Sequence, residues 1–210
     1  MENKKSLDIL VSLDRWYLTQ LKVLLTSISI NNPDTKCNVY LLHREIPDRE
    51  IETLRIGLER LGFTLLPIRV NSALFEKAPI SSRYPQEMYY RLLAAQLLPD
   101  PLERVLYLDP DILVINSLYE LWTMELGNDL FTAAAHTGKA ELASGVNNLR
   151  LKTSGNYYNS GVLLINLAQC RKDIVPDEIF LYVFDHANEL FLPDQDVLNA
   201  LYGNRIRPLK

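Results

Sequence analysis

The stretch that decides the fold lies at residues 104–115 and reads Arg104-Val105-Leu106-Tyr107-Leu108-Asp109-Pro110-Asp111-Ile112-Leu113-Val114-Ile115. It is an apolar run rich in β-forming residues that meets two carboxylates and then resumes. Continuous apolar runs bounded by breakers are typical of strands buried on both faces. Such strands occur in parallel α/β sheets, whose ligands bind beyond the carboxyl ends of the strands. The pattern therefore predicts a buried strand that delivers two acidic side chains to a ligand site.

The two carboxylates are those of Asp109 and Asp111, separated by Pro110. In an extended chain, side chains two residues apart point the same way, so this pair is expected to face one point in space. Pro110 fixes φ and removes a backbone donor, which suits a stiff connection. Carboxylates that close repel each other unless a positive charge lies between them, and hard divalent cations prefer oxygen ligands. The alternative is that both residues are surface loop residues or helix caps, and the pattern alone leaves both interpretations open.

Length and composition limit the class of protein. A chain of 210 residues with 48% hydrophobic content suits a single compact domain over residues 1–210. Twenty-two basic and 26 acidic residues give a net charge of -4. Because no cluster of lysine and arginine stands out, the sequence argues against a general nucleic-acid or membrane-surface binder. An anionic ligand could still bind through local cations and a metal.

Cysteine usage and the terminus predict where the protein resides. Cys37 and Cys170 lie far apart and outside any CxxC pair, which indicates reduced, buried thiols. Residues 1–5 are polar and lack the pattern of a signal peptide, and the chain has no apolar run long enough to span a bilayer. We therefore expect a soluble cytoplasmic protein without a transmembrane segment.

Hydrophobic periodicity predicts strands alternating with helices. Besides the strand within 104–115, predicted strands span residues 7–12, 38–42, 63–70, 131–135, 158–167 and 205–208. Predicted helices span residues 17–31, 47–62, 86–98, 117–122 and 176–190, and a further helix follows Asp196 and ends near Gly203. Residues 137–154 show no clear periodicity and are predicted to form a mobile loop near the site. Strand–helix alternation is typical of right-handed crossovers on a parallel sheet, so the sequence predicts an α/β fold.

Three common nucleotide and hydrolase folds are disfavoured by the motifs. The first strand is not followed by GxGxxG, so a dinucleotide-binding turn is not expected. Gly57 and Gly62 have the spacing of a P-loop, but they lie within and after a predicted helix, and Phe63 stands where lysine is required. No Gly-x-Ser-x-Gly elbow is present, which argues against an α/β-hydrolase. A metal held by the acidic pair could take the phosphate-binding role instead.

Five segments, in this order, resemble glycosyltransferase family 8, the retaining group that includes lipopolysaccharide galactosyl- and glucosyltransferases and the glycogenins. The segments are Ile9 to Tyr17, Met88-Tyr89-Tyr90-Arg91-Leu92, Val105 to Val114, Tyr157 to Leu167, and Pro193-Asp194-Gln195-Asp196-Val197-Leu198-Asn199. The resemblance implies a GT-A type fold: a Rossmann-like nucleotide-sugar-binding fold with a mostly parallel mixed sheet and helices on both faces.

The resemblance also implies roles for the first group of candidate residues. Asp109 and Asp111 match the family's Asp-x-Asp motif, which binds Mn²⁺ or Mg²⁺ bridging the diphosphate of the donor. Ser12, Asp14 and Tyr17 match nucleotide-binding positions, with Asp14 contacting the uracil and the ring of Tyr17 stacking on it. An aspartate at this place could also cap the following helix, and both roles can hold together.

A second group matches the sugar-binding and reacting positions. Arg91 and Asn159 match donor-sugar contacts, and Asp194 and Gln195 match positions against the reacting face of the sugar. The guanidinium of Arg91 needs acceptors in its apolar surroundings, and the metal-loop carboxylates or the donor sugar would supply them. A structural ion pair is the alternative for Arg91, and an N-cap is the alternative for Asp194. His136 stands where some relatives place an acidic sugar contact, so we leave it out of the site.

Further along, family members carry a His-x-x-Gly-x-x-Lys-Pro-Trp motif, whose His is a third metal ligand, and these 210 residues do not contain it. Either the residues are part of a longer chain or transferase activity is reduced or lost. The resulting prediction is a retaining hexosyltransferase that uses Mn²⁺ or Mg²⁺, a UDP-glucose or UDP-galactose donor, and a glycan or lipooligosaccharide acceptor. The alternatives are a truncated, non-catalytic UDP-binding module or assembly partner, and a metal-dependent phosphatase or nucleotidyltransferase.

Overall fold

A computed structural model describes residues 6–82, 84–135 and 141–209, with the side chains of 141–144 left out of the description. The strands are β1 (Ser6–Ser12), β2 (Lys36–His43), β3 (Phe63–Arg69), β4 (Arg104–Leu108), β5 (Phe131–Ala135), β6 (Tyr158–Asn166) and β7 (Ile206–Pro208). The α-helices are α1 (Leu18–Asn31), α2 (Asp48–Glu59), α3 (Ala94–Leu97), α4 (Tyr119–Trp122), α5 (Glu141–Leu151), α6 (Leu167–Asp173), α7 (Pro176–Asp185) and α8 (Pro193–Tyr202). The chain divides into two compact units.

The first unit contains the described residues up to 71 together with 104–125. Its strands are parallel throughout: β2 pairs with β3, β1 with β2, and β4 with β1. Ile9, Leu10 and Val11 are fully buried on successive positions of β1, which is the continuous burial expected of a parallel strand covered on both faces. Because the strands are parallel, their carboxyl ends meet at one edge of this unit.

The helix α2 shows how the sequence sets the boundaries of an element. Pro47 precedes it, acidic residues occupy its first turn, and its buried stripe is Ile51, Leu54 and Leu58. It ends at Glu59, three residues before the predicted boundary at Gly62. Gly62 has φ +75°, so the predicted left-handed glycine is present and follows the helix after a short turn.

The second unit contains residues 72–103 and the described residues from 126 onward. Here β5 is central, pairing antiparallel with β6 and parallel with β7, with a bulge between Ala133 and Ala135. A cluster of aromatic side chains packs in its interior, made of Phe75, Tyr89, Tyr90 and Phe180. Of the strand pairings within each unit, that of β5 with β6 is antiparallel and the others are parallel. The predicted mostly parallel, mixed α/β arrangement is therefore confirmed.

The single helix predicted over 86–98 is wrong. The structure instead has a 3₁₀-helix at Gln86–Tyr89 and, after a turn, the short helix α3. Tyr89, Tyr90, Leu92 and Leu93 are all buried, so this run lacks the single apolar stripe and opposite polar face of an amphipathic surface helix.

Two further expectations are corrected. Residues 137–154 do not form a loop throughout: α5 occupies Glu141–Leu151, while His136 and its neighbours up to 140 fall outside the described residues. The strand predicted within 104–115 stops at Leu108, and Leu113 and Ile115 are 62% and 70% exposed. The second half of that apolar run is therefore not a buried strand.

The expectation for the two cysteines is confirmed. Cys37 and Cys170 are buried free thiols, and burial raises the pKa of the Cys37 thiol to about 12. Among the residues the structure describes, no helix has both the length and the apolar character needed to cross a bilayer. The cytoplasmic location stays a prediction.

The two glycines at the end of α2 should respond in opposite ways to alanine. At both Gly57 and Gly62, a Cβ would have no described heavy atom within 4 Å outside its immediate neighbours, so only the backbone conformation distinguishes them. Gly57→Ala should raise the free energy of unfolding by about 0.5–1 kcal/mol, because it lies inside a helix. Gly62→Ala should lower it by about 1–2 kcal/mol, because its φ is positive. Urea unfolding of the two variants measures both values, and equal shifts of one sign would contradict the assigned conformations.

Candidate functional site

The predicted site residues fall in both units. The first unit holds the predicted nucleotide and metal group, which comprises Ser12, Asp14, Tyr17, Asp109 and Asp111, and the second unit holds Arg91, Asn159, Asp194 and Gln195.

Three of the first group stand where β1 ends. Ser12 is the last residue of β1 and is buried. Asp14 caps a 3₁₀-helix at Arg15–Tyr17, because its Oδ1 accepts a hydrogen bond of 2.8 Å from the Trp16 amide. The capping interpretation of Asp14 is therefore confirmed, and its contact with a base stays a prediction. Tyr17 lies at the end of this turn and is 44% exposed, so part of its side chain is accessible to a ligand.

The end of β4 carries a hydrogen-bonded link to the end of β1. The hydroxyl of Tyr107 donates to Oδ1 of Asp109 at 2.7 Å and lies 3.5 Å from Oγ of Ser12. The register explains this link: Leu10 of β1 lies opposite Tyr107 of β4, which brings the residues that follow each of them to the same edge. Ser12 and Asp109, predicted from separate motifs, are thus joined through one buried tyrosine.

The backbone at the acidic pair is not extended. The Ile112 amide donates to the Asp109 carbonyl at 3.3 Å, which closes a turn over Pro110 and Asp111. The expectation that Asp109 and Asp111 face one point assumes an extended backbone at the pair. That assumption is wrong. Asp109 is half-buried, whereas Asp111 is exposed at the turn.

The donor set at this turn fits a hard divalent cation. The turn offers carboxylate oxygens from two residues. Among the described residues, no group of three or more His, Cys, Asp or Glu side chains could hold a metal, so the ion would need ligands besides these side chains. Mg²⁺ and related cations are commonly bound through one or two carboxylates, with waters and substrate phosphates completing the shell. Asp109 and Asp111 would hold such an ion, and Tyr107 would orient the first of them.

In the second unit, Arg91, Ser160 and Asp194 form a compact charged cluster. Nη1 of Arg91 lies 3.0 Å from Oδ2 of Asp194, and the same nitrogen donates to the carbonyl and hydroxyl oxygens of Ser160 at 3.2 and 3.3 Å. The Ser160 hydroxyl donates to Oδ2 of Asp194 at 2.9 Å. One carboxylate that holds the Arg91 guanidinium is therefore that of Asp194, a partner that the sequence analysis did not name.

Asp194 is not an N-cap. The helix α8 begins at Pro193 with Leu192 in the N-cap position, so Asp194 lies inside the first turn. Its carboxylate faces Arg91 and Ser160, as described above, which leaves the capping interpretation wrong.

Gln195 and Asn159 complete the second group. Gln195 is buried, and its Oε1 accepts a hydrogen bond of 3.2 Å from the Ser160 amide. Asn159 is exposed on β6, and its Oδ1 accepts from the Gly161 amide at 2.8 Å. The structure thus joins Asp194, Gln195 and Arg91 around Ser160, while Asn159 is the adjacent residue of the same strand.

The sequence analysis missed a buried ion pair next to this cluster. Asp196 is fully buried, and its two oxygens accept hydrogen bonds of 2.7 and 2.8 Å from the guanidinium of Arg150 on α5. Tyr157 donates to the same carboxylate at 2.6 Å. The amides of Phe191 and Leu192 donate at 2.7 and 3.1 Å. No signal in the sequence pointed to Arg150, because residues 137–154 lack the clear periodicity that would have predicted the helix carrying it.

These contacts fix the charge states of the network. Burial by itself would raise the pKa of the Asp196 carboxyl, but hydrogen bonds from Arg150, Tyr157 and the two amides outweigh it, so that pKa is lowered. The hydrogen bond to Asp196 raises the pKa of the Arg150 guanidinium. Burial, together with the bond to Asp196, raises the pKa of the Tyr157 hydroxyl. At neutral pH the network is therefore an anion held by one cation and one neutral phenol.

The stability that Asp196 contributes should depend on pH in a defined direction. Because its folded pKa lies below its unfolded value of about 3.9, the contribution is complete above that pH and is lost as the pH falls through the folded pKa. Asp196→Asn should cost about 3–5 kcal/mol near neutrality, because Arg150 would stay buried without its counter-charge. Urea unfolding from acidic to neutral pH should show the gap between wild type and variant narrowing in acid.

Asp177→Asn is the matched control, since Asp177 is 61% exposed in its pair with Lys77. It should unfold like wild type across the same pH range. A gap for Asp196→Asn that keeps its size in acid would contradict the assigned charge state.

With this geometry in hand, comparison with known proteins identifies the fold. The structure of the galactosyltransferase LgtC in complex with donor and acceptor sugar analogues matches with a TM-score of 0.85 at 28% identity, over 97% of this chain and 73% of LgtC. The predicted GT-A type fold is confirmed by this similarity.

Two similar sequences cover nearly the whole chain. General stress protein A of Bacillus subtilis (strain 168) is 25% identical over 96% of this chain and 71% of its own length. Lipopolysaccharide 1,2-glucosyltransferase of Escherichia coli is 25% identical over 96% of this chain, which spans 60% of that protein. The profile of glycosyl transferase family 8 matches residues 8–210. The resemblance predicted from five segments is confirmed, and with it the enzyme class: the chain belongs to glycosyl transferase family 8.

Proposed function

We propose that this chain transfers a hexose from a UDP-sugar to a glycan or lipooligosaccharide acceptor, with the help of a divalent metal and with retention of anomeric configuration. The observation that carries the proposal is the Ser12–Tyr107–Asp109 link, because it joins a predicted nucleotide contact to a predicted metal ligand. The names of two similar proteins support the substrate class: LgtC is a galactosyltransferase, and the Escherichia coli relative is a lipopolysaccharide glucosyltransferase. UDP-glucose and UDP-galactose are accordingly the donors to test first.

In this proposal Ser12, Asp14 and Tyr17 bind the nucleotide. A carboxylate has two oxygens and several acceptor sites, so Asp14 can cap its helix and also accept from N3–H of uracil. Cytosine carries an acceptor at that position, which the carboxylate would repel, so the same residue would select the base. Tyr17, partly exposed beside it, would stack its ring on the base.

Asp109 and Asp111 would hold Mn²⁺ or Mg²⁺ against the diphosphate. When bound, the ion would act as a Lewis acid that neutralises charge on the departing UDP. The protein's own contribution is orientation: Tyr107 holds Oδ1 of Asp109, and the turn at Pro110 presents Asp111 to solvent.

Arg91, Asn159, Asp194 and Gln195 would bind and activate the sugar. Asn159 and Arg91 would contact its hydroxyls, while Asp194 and Gln195 would lie against its reacting face. In the reaction, the bond from the anomeric carbon to the UDP oxygen breaks, a bond to the acceptor oxygen forms, and the acceptor loses a proton. Retention can follow two displacements through a covalent intermediate, with Asp194 as the nucleophile. It can also follow attack from the leaving-group side, with the UDP phosphate taking the proton.

Binding of UDP should require both the metal and Asp109. Titration calorimetry of the wild type should show UDP binding with Mn²⁺ that disappears with a chelator. Asp109→Asn should weaken it by at least about tenfold, or about 1.4 kcal/mol, because one ligand carboxylate loses its charge. The control is Asp34→Asn, an exposed aspartate just before β2 and so near the opposite edge of the parallel strands. Wild-type UDP binding that persists unchanged in chelator would refute the metal-dependent proposal.

Turnover should require Asp194 while UDP binding does not. Asp194→Asn should reduce kcat for hydrolysis or transfer of the UDP-hexose by about 100-fold or more, because a charge placed at the reacting centre is removed. Its affinity for UDP with Mn²⁺ should match wild type, because the substitution leaves the predicted nucleotide and metal residues unchanged. Asp177→Asn, an exposed aspartate paired with Lys77, is the control for loss of an ion pair in the same unit.

The alternatives have distinct outcomes in the same assay. Metal-dependent UDP binding without turnover of either UDP-hexose would identify a non-catalytic UDP-binding module. Release of inorganic phosphate without free hexose would identify a phosphatase.

A further inference from the structure

The first turn of α8 is held from inside the protein. This turn carries Asp194 and Gln195, and its N-cap is an apolar residue, Leu192. Asp196 lies within the helix, and its carboxylate reaches back to accept hydrogen bonds from the amides of Leu192 and of Phe191 before it, at 3.1 and 2.7 Å. The turn that bears the proposed reacting groups therefore depends on a carboxylate that is 0% exposed.

The same helix is fastened along β6. Besides the Tyr157–Asp196 bond, the side-chain amide of Asn199 accepts from the Tyr158 amide at 2.7 Å and donates to its carbonyl at 2.8 Å. Gln195 accepts from the Ser160 amide at 3.2 Å. Side chains of α8 thus form hydrogen bonds with the backbone at the first residues of β6, next to the predicted sugar contact Asn159.

Arg150 is the counter-charge that makes this arrangement possible. Its guanidinium binds both oxygens of Asp196, donates to the Glu189 carbonyl at 2.7 Å and to Oδ1 of Asn147 at 2.7 Å, and lies 4.5 Å from the centre of the Phe191 ring. Arg150 therefore contacts residues 189–191, which precede α8, as well as Asp196 within it. An uncompensated carboxylate at this depth would be strongly unfavourable, so the position of the turn depends on a residue of α5.

We propose that Arg150, Tyr157 and Asp196 form a clamp of positioning residues that sets the place of Asp194 and Gln195 for the sugar-transfer step. The inference deepens the proposed function and rests on it. Asp196 is excluded from contact with substrate because five hydrogen bonds occupy its two oxygens in a fully buried position. The clamp acts on the geometry of the reacting groups and does not include the predicted nucleotide-binding residues.

The test compares Arg150→Met and Tyr157→Phe with the control Asp173→Asn. Asp173 forms an ion pair of the same 2.7 Å length with Arg205 in the same unit, and both side chains are partly exposed. Arg205 follows the C-terminal end of α8, whereas Asp194 and Gln195 lie in its first turn. A small displacement of reacting groups can cost up to about 100-fold in rate. We therefore expect kcat for the UDP-hexose to fall by about 10- to 100-fold in Arg150→Met and by less in Tyr157→Phe. The Kd for UDP with Mn²⁺ should match wild type in both, and the Phe191 and Leu192 amides should exchange hydrogen faster.

Each result has a defined meaning. Should Arg150→Met fail to fold, Tyr157→Phe decides, because it removes one hydrogen bond and keeps the ion pair. A kcat that changes no more than in Asp173→Asn would overturn the clamp, as would unchanged exchange of the two amides. If wild type itself binds no UDP or turns over no UDP-hexose, the proposed function fails, and amide exchange in the variants still judges whether the clamp holds the turn.

Discussion

The parallel register of β1 and β4 is the constraint on which the candidate site of the first unit depends. Leu10 opposite Tyr107 fixes where each strand ends, and a buried tyrosine hydroxyl then joins the two ends through Ser12 and Asp109. Parallel strands place their carboxyl ends at one edge, so two motifs about a hundred residues apart in the chain are brought into register by backbone pairing. Charge plays little part in this: the pairing is set by apolar residues that are fully buried.

In the second unit, a buried ion pair between Arg150 and Asp196 positions the start of α8. Replacing a buried ion pair by apolar residues of similar volume is often neutral or stabilising, whereas removing one partner is costly. Stability alone therefore does not explain the Arg150–Asp196 pair. What the pair adds is direction, since a bidentate guanidinium fixes the angle of the carboxylate, and that carboxylate in turn fixes the amides of Phe191 and Leu192.

The sequence was informative where local chemistry decides structure. The predicted strand at 131–135 matches β5, and the helix cap at Asp14 is present, because apolar runs and caps act over a few residues. It misled at 86–98, where a largely apolar run forms a 3₁₀-helix and a short α-helix in place of one long helix, and at 137–154, where α5 lies in a segment without clear periodicity. The Arg150–Asp196 pair could not be predicted from the sequence, because 46 residues separate the partners and no local pattern marks either side chain as buried.

The acidic pairs at 109 and 111 and at 194 and 196 have the same spacing and different fates. In a helix, residues two apart do not face each other, so within one turn of α8 the carboxylate of Asp194 meets Arg91 while that of Asp196 meets Arg150 in the interior. At the turn after β4, Asp109 is half-buried and accepts a hydrogen bond from Tyr107, whereas Asp111 is exposed. Equal spacing therefore does not fix what a pair of acids contacts, because the backbone conformation decides which partner each carboxylate meets.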